Sequence, residues 1–157
     1  MRVSEASLKA CLFTLHVNST KAPEFIDITD QVTGFVEESQ VRNGTALVFS
    51  RHTTAAIKIQ ENEPLLLIDM TSMLERFAPK NAHYRHNDFS VRTVHMHEDE
   101  CPNGHSHCQQ LALGSSETIP IVDGELTLGE WQRVFMVELD EEKPSPYREI
   151  LIQIMGV

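Results

Sequence analysis

The chain has 157 residues, which is enough for one domain with a buried core and too few for two of ordinary size. Its formal net charge of -10 argues against a general nucleic-acid binder, because a protein neutralises phosphates with a basic surface. The sequence lacks the run of roughly 20 apolar residues that a membrane span needs, and its first residues lack the pattern of a signal peptide. Three cysteines in unrelated contexts indicate no disulfide framework, so we expect a cytoplasmic protein.

Periodicity predicts short strands and two helices in the first half of the chain. Period-two patterns and apolar runs indicate strands at residues 9–17, 25–28, 45–50 and 56–60. The first helix is predicted to begin at a capping Thr29 or Asp30 and to end near Gly44. The clearest helix is predicted over residues 65–77, where apolar side chains recur at helical spacing before Pro79 stops the pattern.

A long polar segment precedes the second half of the chain. Residues 80–103 are rich in histidine and lack a regular pattern, and a loop of this length in a small domain is more often functional than idle. A short helix is predicted over residues 105–113, and Asp123-Gly124 predicts a hairpin turn. Further strands are predicted at residues 118–122, 125–128, 131–139 and 149–155. The expected fold is α+β, a compact single domain over residues 1–157 with a mostly antiparallel sheet or sandwich and packed helices.

Two polar features of the sequence have different interpretations. Gln60, Glu61, Asn62 and Glu63 lie where a strand ends and a helix begins, which is typical of a site on rigid elements and equally of a plain helix cap. The acidic run Glu98–Glu100 is predicted to be a solvated turn.

Histidine usage is high, with eight residues, most of them in the long segment and the helix after it. His105 and His107 point different ways on a regular helix, but both rings can face one centre on an irregular turn. A third ligand from His52 or His86 would complete a zinc-type site, with Glu61 as oxygen ligand or base. Histidines that cap helices or lie at the surface, and a metal-free acid–base site, are the alternatives.

Five short blocks of polar and small residues follow one another along the chain. They are His52–Ala56, Gln60–Glu63, Tyr84–His86, Asn103–His107 and Gly124–Gln132. In this order they resemble the YjbQ-like family, also known as the UPF0047 or secondary thiamine-phosphate synthase family. The resemblance implies a compact α+β domain that assembles as a homotrimer. It also implies a weak thiamine-phosphate synthase activity that is regarded as secondary, beside a primary role that is not known.

Carried over residue by residue, the resemblance predicts one cleft, within or between subunits. The expected catalytic residues are His52, Glu61, Asn62 and His86. The expected ligand contacts are Thr53, Thr54, Asn103, Trp131, Gln132 and Arg148, and the expected ligands of a zinc or magnesium ion are His86, His105 and His107. The implied ligand is a small phosphorylated molecule or another anion. The chain departs from the family at Glu130, where a small residue is usual, and residues 143–148 leave only Arg148 as a clear basic match.

Three functions are consistent with these residues. The first is an enzyme with a secondary transferase activity, the second a metal-dependent hydrolase, and the third a non-catalytic trimer that binds a small anion or metabolite. Thiamine-phosphate synthesis requires charge stabilisation of a departing diphosphate, which Mg²⁺ and basic groups usually supply. Because this acidic chain has no obvious basic funnel, we expect a slow side reaction rather than an efficient synthase.

Overall fold

Eight strands, three α-helices and one 3₁₀ turn make up the regular structure of the residues described. The structure is a computed structural model that describes residues 7–143 and 145–157. Residues 1–6 and Pro144 lie outside the described residues. The expectation about a signal peptide concerns residues 1–6. In chain order the elements are β1 (Lys9–Asn18), β2 (Glu24–Asp27), α1 (Thr29–Ser39), β3 (Gly44–Ser50), β4 (Ala55–Gln60), α2 (Pro64–Phe77), the 3₁₀ turn (Arg85–Asn87), α3 (Gly104–Leu113), β5 (Ser116–Val122), β6 (Glu125–Leu126), β7 (Arg133–Glu138) and β8 (Tyr147–Gly156).

The strands form two antiparallel sheets. The larger sheet has the order β1-β8-β3-β5-β6, and the smaller one has the order β2-β7-β4. In the smaller sheet the register joins Ala55 to Glu138 at one end and Gln60 to Arg133 at the other. The beginning of β4 and the end of β7 therefore lie together, and this end of the small sheet carries most of the predicted site residues.

Two apolar cores hold the layers together. The main core lies between the sheets, where inward-facing side chains such as Ile57 and Ile152 pack with Val32 of α1. The second core lies on the other face of the small sheet, where Phe135 of β7 packs with Leu74 of α2. Each such large apolar side chain contributes about 1.5–3 kcal/mol when fully buried. Strand β7 is thus buried on both faces, which explains its nearly continuous apolar sequence.

The outer face of the five-stranded sheet is exposed in this chain. Leu12 of β1 is 65% exposed, and Phe49 of β3 and Met155 of β8 are 39% and 40% exposed. Large exposed apolar patches commonly mark interaction surfaces. Among the described residues, no helix combines the length and the apolar character that crossing a membrane requires.

The predicted α+β architecture of antiparallel sheets with packed helices is confirmed, while several element boundaries differ. Helix α1 begins at Thr29, but its N-cap residue is Ile28 rather than the predicted Thr29 or Asp30, and Asp27 before it accepts a hydrogen bond from the Thr29 backbone N–H at 3.0 Å. The same helix ends at Ser39, because Gln40 adopts a left-handed conformation with φ 56°. Gly44 instead starts β3, where a Cβ atom would lie 2.0 Å from the carbonyl oxygen of Met155.

Candidate functional site

The predicted site residues form two groups at opposite ends of β4. We call the first group the histidine cluster: it comprises His52, Thr53, Thr54, His86, Asn103, His105, His107 and Arg148. We call the second the tryptophan pocket, a cavity of about 440 Å³ lined by Asp27, Glu61, Asn62, Glu63, Glu130, Trp131 and Arg133. A strand rises about 3.3 Å per residue, so Thr54 and Glu61 are separated by roughly 20 Å. One chain therefore does not bring all of the predicted residues into one cleft.

A glycine brings the 3₁₀ turn against the start of α3. A Cβ atom on Gly104 would lie 2.6 Å from Cβ of Tyr84, so only glycine permits this approach. The backbone N–H of Gly104 also donates to Oδ1 of Asn87 at 2.8 Å. This docking places His86, which lies on the turn, beside His107, which lies on the helix.

The rings of His86 and His107 are in contact. Their centroids are 4.6 Å apart and their planes are inclined by 71°. Burial, and then the neighbouring His86, lower the pKa of His107, although Asp140 and a backbone hydrogen bond with Thr53 act in the opposite direction. The neutral form of His107 is therefore favoured near neutral pH, which leaves it able to accept a proton.

His105 does not join this pair. Residues 104–113 form a regular helix, on which positions two apart face different directions. The His105 ring is buried, its Nε2 lies 3.3 Å from Oγ of Ser106, and its Nδ1 has no hydrogen-bond partner. Burial lowers the pKa of His105.

The predicted ligand set of His86, His105 and His107 is consequently not assembled in this chain. Within the described ranges 7–143 and 145–157, no group of three or more His, Cys, Asp or Glu side chains is arranged to hold a metal ion. The physical reason is the helical geometry of α3, which turns His105 away from the other two rings.

Arg148 is buried in an ion pair with Glu138. Its Nε donates to Oε2 of Glu138 at 2.8 Å and its Nη2 to Oε1 at 2.6 Å, while Nη2 also donates to Oγ1 of Thr54 at 3.1 Å. Burial alone would raise the pKa of Glu138, but the hydrogen bond and charge of Arg148 lower it below its ordinary value. The sequence predicts Arg148 as a ligand contact. In the structure its guanidinium group makes hydrogen bonds to Glu138 and Thr54 within this chain.

His52 also makes internal hydrogen bonds. Its Nε2 accepts a hydrogen bond from the backbone N–H of Glu149 at 2.9 Å, and its Nδ1 lies 3.5 Å from Nη1 of Arg148. Burial, and then the charge of Arg148, lower the pKa of His52. His52 thus ties the start of β8 to the cluster.

Asn103 links the cluster to residues that sequence reasoning missed. Its Nδ2 donates to Oδ2 of Asp140 at 2.8 Å, and the backbone N–H of Asp140 donates to Oε1 of Glu138 at 3.0 Å. Oδ1 of Asn103 is buried without a partner. A sequence signal existed for Glu138, since it is a lone carboxylate within the apolar stretch of residues 134–139.

At the other end of β4, the tryptophan pocket is acidic and open. Glu63 accepts from the backbone N–H groups of Leu65 and Leu66, so it is the helix cap that the sequence offered as an alternative. Asn62 donates to Oδ2 of Asp27 at 3.0 Å.

Trp131 is 65% exposed in this pocket. Gln132, also exposed, accepts from the backbone N–H of Gly129 at 2.8 Å and so closes the turn before β7. Trp131 and Gln132 are both predicted ligand contacts, but of these two only Trp131 lines the cavity.

Two packed antiparallel sheets with helices, and the five polar sequence blocks placed at both ends of the small sheet, indicate a YjbQ-like protein. Residues 13–157 match the family described as "UPF0047 protein YjbQ-like", and the chain belongs to that family. The resemblance stated from the five sequence blocks is thus confirmed.

Similar proteins come from archaea and bacteria. The chain is 40% identical over 142 residues to a UPF0047 protein of Methanothermobacter thermautotrophicus, with 90% of each chain covered. It is 32% identical over 146 residues to the UPF0047 protein YugU of Bacillus subtilis, covering 92% of this chain and 99% of YugU.

Solved structures show the same fold. The crystal structure of a YbjQ-like protein of unknown function from Sulfolobus solfataricus P2 matches with a TM-score of 0.85 and 32% identity, covering 96% of this chain and 100% of that chain. A conserved protein of the YjbQ/UPF0047 family from Clostridium acetobutylicum matches with a TM-score of 0.73 and 34% identity, covering 92% and 98%. The family is one of uncharacterised function.

Proposed function

We propose that this protein binds a small phosphorylated metabolite at the histidine cluster, and that thiamine-phosphate synthesis is a slow side reaction of this site. The contact between His86 and His107 is the observation that carries the proposal. Two imidazoles and the hydroxyl of the exposed Thr53 can donate hydrogen bonds to phosphate oxygens. His107, whose pKa is lowered, can also accept a proton from a bound substrate.

The charges around the cluster explain why synthesis is expected to be slow. Arg148 is paired with Glu138, and Arg92 is paired with Glu100 at 2.7 Å. Both guanidinium groups are therefore compensated by a carboxylate before any ligand arrives. A departing diphosphate carries several negative charges, and it would depend mainly on added Mg²⁺ for stabilisation.

Assembly of several copies would complete the site. We propose a homotrimer in which the tryptophan pocket of one copy adjoins the histidine cluster of a neighbour. The separation of the two groups along β4 supports this arrangement, because a rigid strand keeps its ends apart within one chain. The exposed apolar side chains on the outer face of the five-stranded sheet supply a surface for the association.

Calorimetric titration with inorganic phosphate and pyrophosphate tests the binding proposal. We expect saturable binding to the wild-type protein and a loss of roughly tenfold or more in affinity for His107→Asn, equivalent to about 1.4 kcal/mol. His83→Asn is the matched control, since His83 is exposed on the long segment, and its affinity should stay within about twofold of wild type. Equal affinities of wild type and His107→Asn would exclude the histidine cluster as the binding site.

A synthase assay tests the side reaction. The wild-type protein is incubated with the pyrimidine methyl diphosphate, the thiazole phosphate and Mg²⁺, and thiamine phosphate is quantified. We expect slow formation that His107→Asn reduces. Phosphate binding without any product would support the non-catalytic alternative, in which the trimer only binds an anion or metabolite.

Metal-dependent hydrolysis is the second candidate, because two adjacent imidazoles can serve as ligands for zinc. The separation of His105 from the pair argues against it. We expect elemental analysis of the protein, purified without a histidine tag, to find well under one equivalent of zinc per chain. One equivalent that is lost in both His105→Ala and His107→Ala would instead support the hydrolase.

A further inference from the structure

Arg92, which lies in the long histidine-rich segment, contacts His86 directly. Its Nη1 lies 3.2 Å from Nε2 of His86 and donates to Oε2 of Glu100 at 2.7 Å, while its Nη2 donates to the carbonyl oxygen of His95 at 3.0 Å. The side chains of Arg92 and Glu100 are only 16% and 17% exposed. Glu100 is therefore a partly buried partner of Arg92, whereas the sequence predicts a solvated acidic turn at this position.

The chemistry of the two groups determines which one donates. A guanidinium group has five N–H donors and no acceptor. Nε2 of His86 must therefore accept the hydrogen bond, and the hydrogen of the neutral ring must lie on Nδ1. The tautomer of a histidine is generally set in this way by the hydrogen bond that its other nitrogen makes.

We propose that Arg92 is a positioning residue of the histidine cluster, that it holds His86 in the Nδ1–H tautomer, and that Glu100 holds Arg92 in place. The role of this arrangement in ligand binding rests on the proposed function. In the Nδ1–H tautomer, His86 meets a ligand as a hydrogen-bond donor. The ligand class that fits is a hydrogen-bond acceptor such as a phosphate oxygen.

The same arrangement disfavours a cation at His86. Zinc requires the lone pair of a neutral imidazole nitrogen. On His86 the Nε2 lone pair is engaged by Arg92, and Nδ1 carries the hydrogen. A metal ion could reach this ring only after Arg92 left or the proton moved, and the guanidinium charge nearby would oppose it.

The test is a long-range proton–nitrogen correlation spectrum of the uniformly ¹⁵N-labelled full-length protein, without ligand, at neutral pH. The signals of His86 are assigned from the spectrum of His86→Asn. We expect an unprotonated Nε2 and a protonated Nδ1 in the wild type. Arg92→Met should shift the His86 ring towards the Nε2–H form, whereas Arg92→Lys, which retains a donor, should restore the wild-type pattern in part.

Arg85→Met is the matched control, because Arg85 is the exposed neighbour of His86 and the substitution is the same. It should leave the tautomer unchanged. Should Arg92→Met fail to fold, Glu100→Gln tests the same linkage, with a mixture of tautomers expected once Arg92 loses its carboxylate partner. A wild-type His86 with a protonated Nε2, or a pattern that neither the Arg92 variants nor Glu100→Gln change, would overturn the proposal.

The ligand measurement is kept separate from the spectrum. Titration with inorganic phosphate should show roughly tenfold weaker binding for Arg92→Met and a change within about twofold for Arg85→Met. If the wild-type protein binds no phosphate while its His86 tautomer responds to Arg92, the proposed function fails and the positioning role stands. If phosphate binds and the tautomer is independent of Arg92, the positioning role fails and the proposed function stands.

Discussion

The buried ion pair between Arg148 and Glu138 allows a quantitative prediction. Glu138 is fully buried, and removing one member of a buried pair typically costs about 3–5 kcal/mol in free energy of unfolding. Ser19 and two backbone N–H groups still donate to the carboxylate after Arg148 is lost, so we expect the lower end of this range. Arg148→Met should therefore lower the free energy of unfolding by about 3 kcal/mol at neutral pH.

The effect should depend on pH. Burial raises the pKa of Glu138, while the hydrogen bond and charge of Arg148 lower it together with the hydrogen bonds from Asp140 and Ser19, so the folded protein holds this pKa below its ordinary value of 4.5. Stability from the pair is thus fully present above pH 4.5 and is lost as the pH falls below that value. In Arg148→Met the carboxylate lacks its main stabilising charge, and the difference between variant and wild type should shrink as the solution becomes more acidic.

Urea unfolding at matched protein concentration, at neutral and acidic pH, measures both quantities. Arg51→Met is the control, because Arg51 pairs with Glu149 at the surface, where the two side chains are 58% and 32% exposed. Its loss should cost less than about 1 kcal/mol. The reasoning is refuted if both variants lose the same small amount, or if the loss in Arg148→Met does not change with pH.

Three further predictions concern acidification, assembly and the tryptophan. His107→Gln should reduce the loss of unfolding free energy on acidification below pH 6.5. The folded protein lowers the pKa of His107, so the unfolded chain binds this proton more tightly and acidification destabilises the fold; urea unfolding across pH measures this. Light scattering should give about 53 kDa for the wild type, three times 17.8 kDa. Leu12→Asp should reduce that mass and Leu111→Asp should not. The emission of Trp131, the chain's single tryptophan, should shift to the red when the assembly is diluted; an unchanged spectrum during dissociation would contradict its place between copies.

Local signals determined most of the secondary structure. The strands show period-two patterns, and the turn at Asp123-Gly124 has positive φ angles of 54° and 88°, as a hairpin turn of this kind requires. For His105 and His107 the spacing left two arrangements open, and the regular helix over residues 104–113 adopts the one in which the rings diverge rather than the one that the expected metal site requires. The strands and the turn depend on residues that are only a few positions apart, so the local sequence is sufficient to predict them.

The composition of the site depended on tertiary structure. Glu138 and Arg148 lie on strands of different sheets, and only the packing of those sheets brings their charges together. Arg92 reaches His86 through an irregular segment whose path no periodic pattern describes. Such partners are selected by three-dimensional proximity and by the need to compensate buried charge, neither of which is encoded in local spacing.

The sequence by itself determined the family, the α+β class and the residue types of the site. The predicted strand over residues 56–60 already separates His52 from Glu61, nine positions apart, and the tertiary structure decided that each of them joins a different group of side chains. An extended strand separates its ends by a fixed rise per residue, so no rearrangement of side chains within one chain can close that distance. Only the tertiary structure decided, likewise, that Arg148 compensates a buried carboxylate in this chain, because an arginine's partner depends on which charges the fold buries beside it.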